Sequence, residues 1–271
     1  METENKTQAA MAMEMPDGDL SEQIKLVSKD SHVRAENTEL MMSYQRGDVT
    51  LEQYKLLLCS LHHIYEALEE ELERNSSHVG VAPIYFPLEL ARRELVEADL
   101  EHFYGPYWRE KMVVPKATER YSHRLRQIGR DNPELLLAHA YTRYLGDLSG
   151  GQILGRITQK SLGLKNGEGT AFFTFPAVSS PNLFKQLYRS RMNSVELTEK
   201  QRMCMLEEAV RAFELNIQVF DELQDMVYRT QRLINTLQIP GALITTTTPL
   251  FRVGVGLCLA LATVCMGIYA F

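Results

Sequence analysis

LEQYKLLLCSLHHIYEALEEEL, residues 51–72, decides the class of fold. Leu51, Tyr54, Leu58, Leu61, Tyr65, Leu68 and Leu72 recur at steps of three and four residues, the spacing that lines side chains along one stripe of an α-helix. A half-buried strand needs strict alternation of apolar and polar residues, and no stretch of the chain sustains it. Other helices must cover the stripe. No Pro-, Gly- or Ser-rich seam divides the 271 residues into comparable halves, so the chain reads as all-α with one core.

Upstream, Asp19-x-x-Glu22 is a capping pattern that opens a helix running through His32 toward Ser43, with a kink near Glu36 to Thr38. Downstream, Asn75 to Pro87 (NSSHVGVAPIYFP) is a loop, Leu88 to His102 a helix stopped by Gly105-Pro106, and Lys116 to Ile128 another helix. Asn132-Pro133 supplies a cap and a first-turn proline for a helical segment through Leu162, interrupted by glycines. Residues 163–181 are irregular, although Phe172, Phe173 and Phe175 should tuck into the core. Phe184 to Met192 is a short basic helix, and Thr198-x-x-Gln201 caps a long one past Phe213, Phe220 and Val227.

The net charge of −6 offers no basic excess to neutralise a phosphate backbone, so nucleic acid is excluded as a partner. Cys59, Cys204, Cys258 and Cys265 form no disulfide framework and no paired metal motif, which points to a reducing compartment. Asn75-Ser76-Ser77 matches a glycosylation acceptor only on a secretory route, and Met1 to Asp19 has no apolar core of the signal-peptide kind. Val253 to Phe271 (VGVGLCLALATVCMGIYAF) carries no charge and approaches the roughly 20 residues needed to cross a bilayer. Arg252 flanks it on the side of the main domain, and Tyr269 sits near its far end. The layout expected is a disordered tail at 1–18, a folded domain at 19–228, a linker at 229–250 and a C-terminal membrane anchor at 251–271. A tail anchor of this kind places the domain on the cytosolic face of the endoplasmic reticulum.

Two places stand out for chemistry. His32 shares a helix face with Ile24, Ser28 and Ala35, small or apolar neighbours that leave room for a flat ligand to approach the ring. Glu36, four residues on, is placed to hold the other ring nitrogen; a lone helical histidine is otherwise an ordinary surface or core residue. The second place is Ala138 to Gln152, AHAYTRYLGDLSGGQ. Each glycine inside a helix costs roughly 1 kcal/mol relative to alanine, so Gly146, Gly150 and Gly151 need a reason. In one reading Ser149-Gly150-Gly151 is a turn between helices. In the other, Gly146 and Gly150 share a face that lies backbone-first against a planar ligand, while Asp147 and Arg143 hold ordered water beside it.

LGDLSGGQ, preceded by AHAYTRY, resembles the signature of the animal heme oxygenases. KDSHVRAEN around His32, HHIYEALEEELERN from His62, APIYFP from Ala82, GEGTAFFTFP from Gly167 and FKQLYRSRMNS from Phe184 resemble the same family in the same order, from about Leu20 to Val227. The resemblance implies an all-helical fold with heme b, both substrate and cofactor, between a proximal helix and a kinked distal helix. It makes His32 the axial iron ligand and gives Gly146, Gly150 and Gly151 to the distal helix. It matches Lys25, Tyr141, Lys185 and Arg189 to the heme propionates, with Phe213 and Phe220 walling the pocket. The implied reaction opens heme at the α-meso carbon, giving biliverdin, ferrous iron and CO from O2 and electrons. Asp147, with Tyr65 and Arg143, would organise the water that delivers protons.

No flavin or dinucleotide fingerprint is present, so electrons come from outside; the family's donor is NADPH–cytochrome P450 reductase. Arg124, Arg156 and Arg191 match its docking positions, although Gly155-Arg156 stands where relatives commonly carry two lysines. Biliverdin reductase would act on the product. No cysteine precedes a proline, so the Cys-Pro motifs of the constitutive form are absent and the chain looks like the inducible form. The linker before the anchor is shorter than usual. A carboxylate-bridged di-iron bundle would need Glu-x-x-His on two helices, and the nearest pattern is a single Asp99-x-x-His102. The remaining alternative is a catalytically inactive, membrane-tethered heme-binding protein, which would first lose Asp147 or His32; both are present.

Overall fold

A computed structural model describes residues 18–236, and among them there is no strand. The expected stripe forms α4 (Leu51–Arg74), on which Tyr54, Leu58, Tyr65 and Leu68 are fully buried. Leu51, at its start, is 46% exposed and does not join the core. The helix opens on a reciprocal box that the patterning did not flag: Thr50 Oγ1 accepts from the Gln53 N–H at 3.2 Å, and Gln53 Oε1 accepts from the Thr50 N–H at 2.8 Å. α5 (Arg93–Tyr104) and α6 (Lys116–Asp131) pack along α4.

The N-terminal segment is three helices rather than one kinked helix: α1 (Leu20–Val27), α2 (Lys29–Glu36) and α3 (Glu39–Arg46). The second break falls at Asn37-Thr38, as expected. The first falls at Ser28, whose hydroxyl donates back to the Ile24 carbonyl at 2.7 Å, a side-chain bond that competes with the regular ladder. Asp19 makes no capping bond; its carboxylate accepts instead from Asn193 Nδ2 at 3.3 Å.

The helix expected over 88–102 is also divided, into a single turn Pro87–Leu90 and α5. The cause lies on α4, where Glu69 Oε1 accepts from the Arg92 N–H at 2.6 Å and takes that donor out of the helical register. The Arg92 side chain is buried, donating from Nε to the Leu90 carbonyl at 2.9 Å and from its guanidinium to the Phe172 and Thr174 carbonyls. Phe172, Phe173 and Phe175 are buried beside it, as expected.

Pro133 opens a 3₁₀ turn, Pro133–Leu135, before α7 (Leu136–Gly146). The glycine segment neither breaks into a turn nor continues as α-helix: Asp147–Gly151 is a π turn that passes directly into α8 (Gln152–Leu162). Such widened turns occur mostly as single insertions inside α-helices, frequently at functional sites. α9 (Pro181–Asn193) follows. Thr198 and Gln201 then form the expected capping box, with bonds of 3.1 and 3.3 Å, for α10 (Glu199–Thr236).

α10 packs against α1, α2 and α3 on one side and α7 on the other, so one rod sets the spacing between His32 and the glycine segment. It also continues beyond Arg229, into the stretch read as a linker. Among the described residues no helix is long and apolar enough to cross a membrane; the expected anchor, 251–271, and the tail before residue 18 lie outside them.

Candidate functional site

Between α2, α10 and the α7–α8 junction lies a cleft of about 440 Å³, within the range of small-molecule sites. His32 stands on its proximal wall, with Phe213 edge-on to the imidazole at 5.4 Å between ring centroids. Phe220 lines the same wall one α10 stretch further on. Glu36 Oε1 is 3.7 Å from His32 Nε2, longer than a direct hydrogen bond.

Gly146 and Gly150 face the imidazole across the cleft. A Cβ built on either glycine meets no atom within 4 Å, so any side chain there would occupy the cleft itself. Gly151 lines the cleft with its backbone, whereas a Cβ on it would point at Asp147 and Phe173, 3.6 and 3.7 Å away. A bare helix surface opposite an imidazole fits a planar metallo-ligand.

The distal polar groups predicted from sequence come together. The Tyr65 hydroxyl donates to the Asp147 carboxylate, and the Arg143 guanidinium stacks on the Tyr65 ring at 5.0 Å from its centroid. Burial pushes the Asp147 carboxyl up, against the opposing pull of Arg143, the Tyr65 hydroxyl and Arg92. Burial, with Asp147 alongside, also raises the Tyr65 phenol, which therefore stays protonated and donates. Thr142 Oγ1 and Arg143 Nε, both buried in the cleft lining, find no hydrogen-bond partner among the described residues. Orphaned buried atoms of this kind are where ordered water or a ligand is held.

Of the predicted carboxylate-binding cations, Lys185 alone lines the cleft, its Nζ donating to Ser149 Oγ at 3.2 Å. Burial and the neighbouring Arg189 pull its pKa down; two cations this close are stabilised by an incoming anion. Lys25, Tyr141 and Arg189 are half-buried and stand outside the lining.

Several residues of the site escaped the reading of the sequence. Asn216, buried on α10, accepts from the Arg143 guanidinium and donates to the Ala212 carbonyl at 3.1 Å. Behind Arg143 a buried chain continues from the Tyr121 hydroxyl to His139 Nδ1 at 3.2 Å and from His139 Nε2 to Glu208 Oε1 at 2.9 Å. Nothing in the sequence marks these groups beyond their residue types. Glu208 is bound on its other side by Arg124 at 2.6 and 2.9 Å, so Arg124 is engaged in an ion pair, whereas Arg156 and Arg191 are exposed.

The geometry agrees with the comparisons to known proteins. The heme oxygenase family model matches residues 18–222. A heme oxygenase of Takifugu rubripes is 64% identical, with all of both chains covered. Heme oxygenase 1 of Homo sapiens is 53% identical over 82% of this chain and 78% of its own. Among solved structures, heme oxygenase-1 of the cyanobacterium Synechocystis in complex with heme superposes with a TM-score of 0.75 at 36% identity, covering 82% of this chain and 100% of that one. The all-helical architecture, the cleft between an imidazole and a bare helix, and sequence identity along the whole folded domain lead to one conclusion: the chain belongs to the heme oxygenase family.

Proposed function

We propose that the cleft binds heme as substrate and that the protein opens it at the α-meso carbon to biliverdin, ferrous iron and CO, using O2 and electrons from a reductase. The observation that carries this reading is a single cleft lined by His32, Gly146 and Gly150 together with Asp147 and Arg143, which Tyr65 holds from behind. Bound heme supplies the iron that activates O2 and the carbon that is oxidised; the protein supplies position and protons.

His32 holds the porphyrin from the proximal side, and Phe213 keeps the ring from turning. The glycine backbones at 146 and 150 let the distal helix lie close, and so leave one edge of the macrocycle open to attack. Lys185, with Lys25, Tyr141 and Arg189 behind it, binds the two carboxylates and fixes which edge that is. Asp147, fixed by the hydrogen bond it accepts from the Tyr65 hydroxyl and with the Arg143 guanidinium that Asn216 anchors acting on its charge, holds the water that delivers protons; burial raises its affinity for a proton in transit.

The same reading extends to the ends of the chain. Residues 251–271 serve as a tail anchor in the endoplasmic reticulum membrane, the residues after α10 and before 251 link it to the catalytic domain, and the domain faces the cytosol. The uncharged run from Val253 and the flanking Arg252 support this. NADPH–cytochrome P450 reductase docks through exposed cations including Arg156 and Arg191. Biliverdin reductase takes up the product. The test is reconstitution: full-length chain, heme, NADPH and the reductase are mixed, and the Soret band must fade as biliverdin appears. Heme uptake without biliverdin, under conditions where an authentic heme oxygenase turns over, refutes catalysis. A His32→Ala variant with an unchanged axial-ligand spectrum refutes the binding mode.

A further inference from the structure

α4 carries a second group of polar residues that the cleft does not use. His62, His63 and Glu66 each offer one ligand atom, all within 4.8 Å of one another, and none lines the cleft. The Nδ1 atoms of the two imidazoles are 3.5 Å apart. Two nitrogens bound to one tetrahedral ion, each about 2.0–2.1 Å from it, stand about 3.4 Å apart. The observed separation, bridged in the ion-free protein by a contact between the two rings, already equals that of two ligands to a shared cation, so an ion can replace the contact without moving either ring far.

The tautomer agrees with the spacing. His62 Nε2 lies 3.0 Å from Glu97 Oε1, an acceptor that keeps the proton on Nε2 and leaves the Nδ1 lone pair facing His63. A carboxylate on the remote nitrogen is what orients metal-bound histidines generally. The His62 ring is also clamped edge-on by Trp108, with centroids 4.9 Å apart. His63 and Glu66 are half-buried, which leaves an approach from solvent. Arg93 and Arg126 reach Glu66 at 3.5 and 3.9 Å. Both guanidiniums are partly exposed, and surface pairs of this kind contribute little, so they yield readily to an ion.

We propose that His62, His63 and Glu66 form a binding site for a divalent first-row transition ion, with water completing its coordination. Two imidazoles and one carboxylate suit Zn²⁺, Fe²⁺, Co²⁺ or Cu²⁺, whereas Ca²⁺ and Mg²⁺ require oxygen ligands. The site stands whether or not the cleft cleaves heme. If it does, the ferrous ion set free is one natural source and Zn²⁺ the other.

Trp108 is the sole tryptophan, so its emission reports on an ion at His62. Full-length, heme-free chain in detergent is titrated with Co²⁺, which is paramagnetic and gives visible d–d bands when bound. One equivalent should saturate both the quenching and the bands. His63→Gln and Glu66→Gln should each weaken binding at least ~10-fold, and His32→Ala should leave it unchanged, all with wild-type circular dichroism. Anaerobic Fe²⁺ and Zn²⁺ should then displace Co²⁺ and change the emission, the ion acting at lower concentration being the native one. Absence of saturable quenching, equal affinity in His63→Gln and Glu66→Gln, or failure of both ions to displace Co²⁺ overturns the proposal.

Discussion

The Tyr65 hydroxyl donates to the Asp147 carboxylate, joining the middle of α4 to the first residue of the π turn. The bond turns a helix selected for its apolar stripe into part of the distal polar wall. Because Arg143 stacks on the same tyrosine, loss of either partner disturbs both.

Asp147→Ala should therefore bind heme with near-wild-type affinity while biliverdin formation falls by about 10² or more. Heme should then be consumed without its usual product. Product analysis by absorbance and chromatography checks this, and undiminished biliverdin yield would remove Asp147 from proton delivery.

The glycines divide into two classes by what a side chain would meet. Gly150→Ala meets nothing within 4 Å, so it should raise the melting temperature of the heme-free protein, by up to ~1 kcal/mol of helix propensity, while weakening heme binding. Gly155→Ala would put a Cβ 2.8 Å from Phe173 Cβ and should destabilise by about 1–3 kcal/mol. Thermal melts with and without heme separate the two.

Acid sensitivity should trace to Glu208. Burial raises its pKa, but hydrogen bonds from Arg124 and His139 outweigh burial and hold it at about 2. Burial also lowers the His139 pKa, so His139 is neutral near pH 7 and Arg124 is the cation that matters. A depressed carboxylate pKa stabilises above its unfolded value and ceases to do so as pH falls through the folded one, so the contribution, on the order of 3 kcal/mol, should vanish between about pH 4.5 and pH 2. The stability difference between wild type and Glu208→Gln, measured by urea denaturation across that window, should shrink toward zero.

Arg92→Met should cost ~3 kcal/mol or more, because the Leu90, Phe172 and Thr174 carbonyls lose their shared donor inside the core. Urea midpoints should show it. The heme-bound spectrum of the folded fraction should be unaltered, since Arg92 does not line the cleft.

What could be read from the sequence was whatever local periodicity encodes. The stripe from Tyr54 to Leu72 and the three buried phenylalanines are visible because burial follows helix geometry and apolarity. Gly146 and Gly150 stand out because interior glycines oppose helix formation. The break at Arg92 was hidden for the opposite reason: the backbone there is diverted by Glu69, 23 residues away, a partner that only the fold supplies. Asn216 looked like any polar residue on a long helix until α10 brought it to Arg143, 73 positions distant. Family likeness located Phe213, Phe220 and Lys185 at the cleft but did not distinguish them from Lys25, Tyr141 and Arg189, which stand back from it.

The π turn at Asp147–Gly151 carries one further implication. A widened turn leaves one residue surplus to the regular ladder, so the side chains on its two sides are out of step with an unbroken α-helix. The offset lets Asp147 and Gly150, three positions apart, both line the cleft, so one turn presents a carboxylate and a bare backbone to the same planar guest.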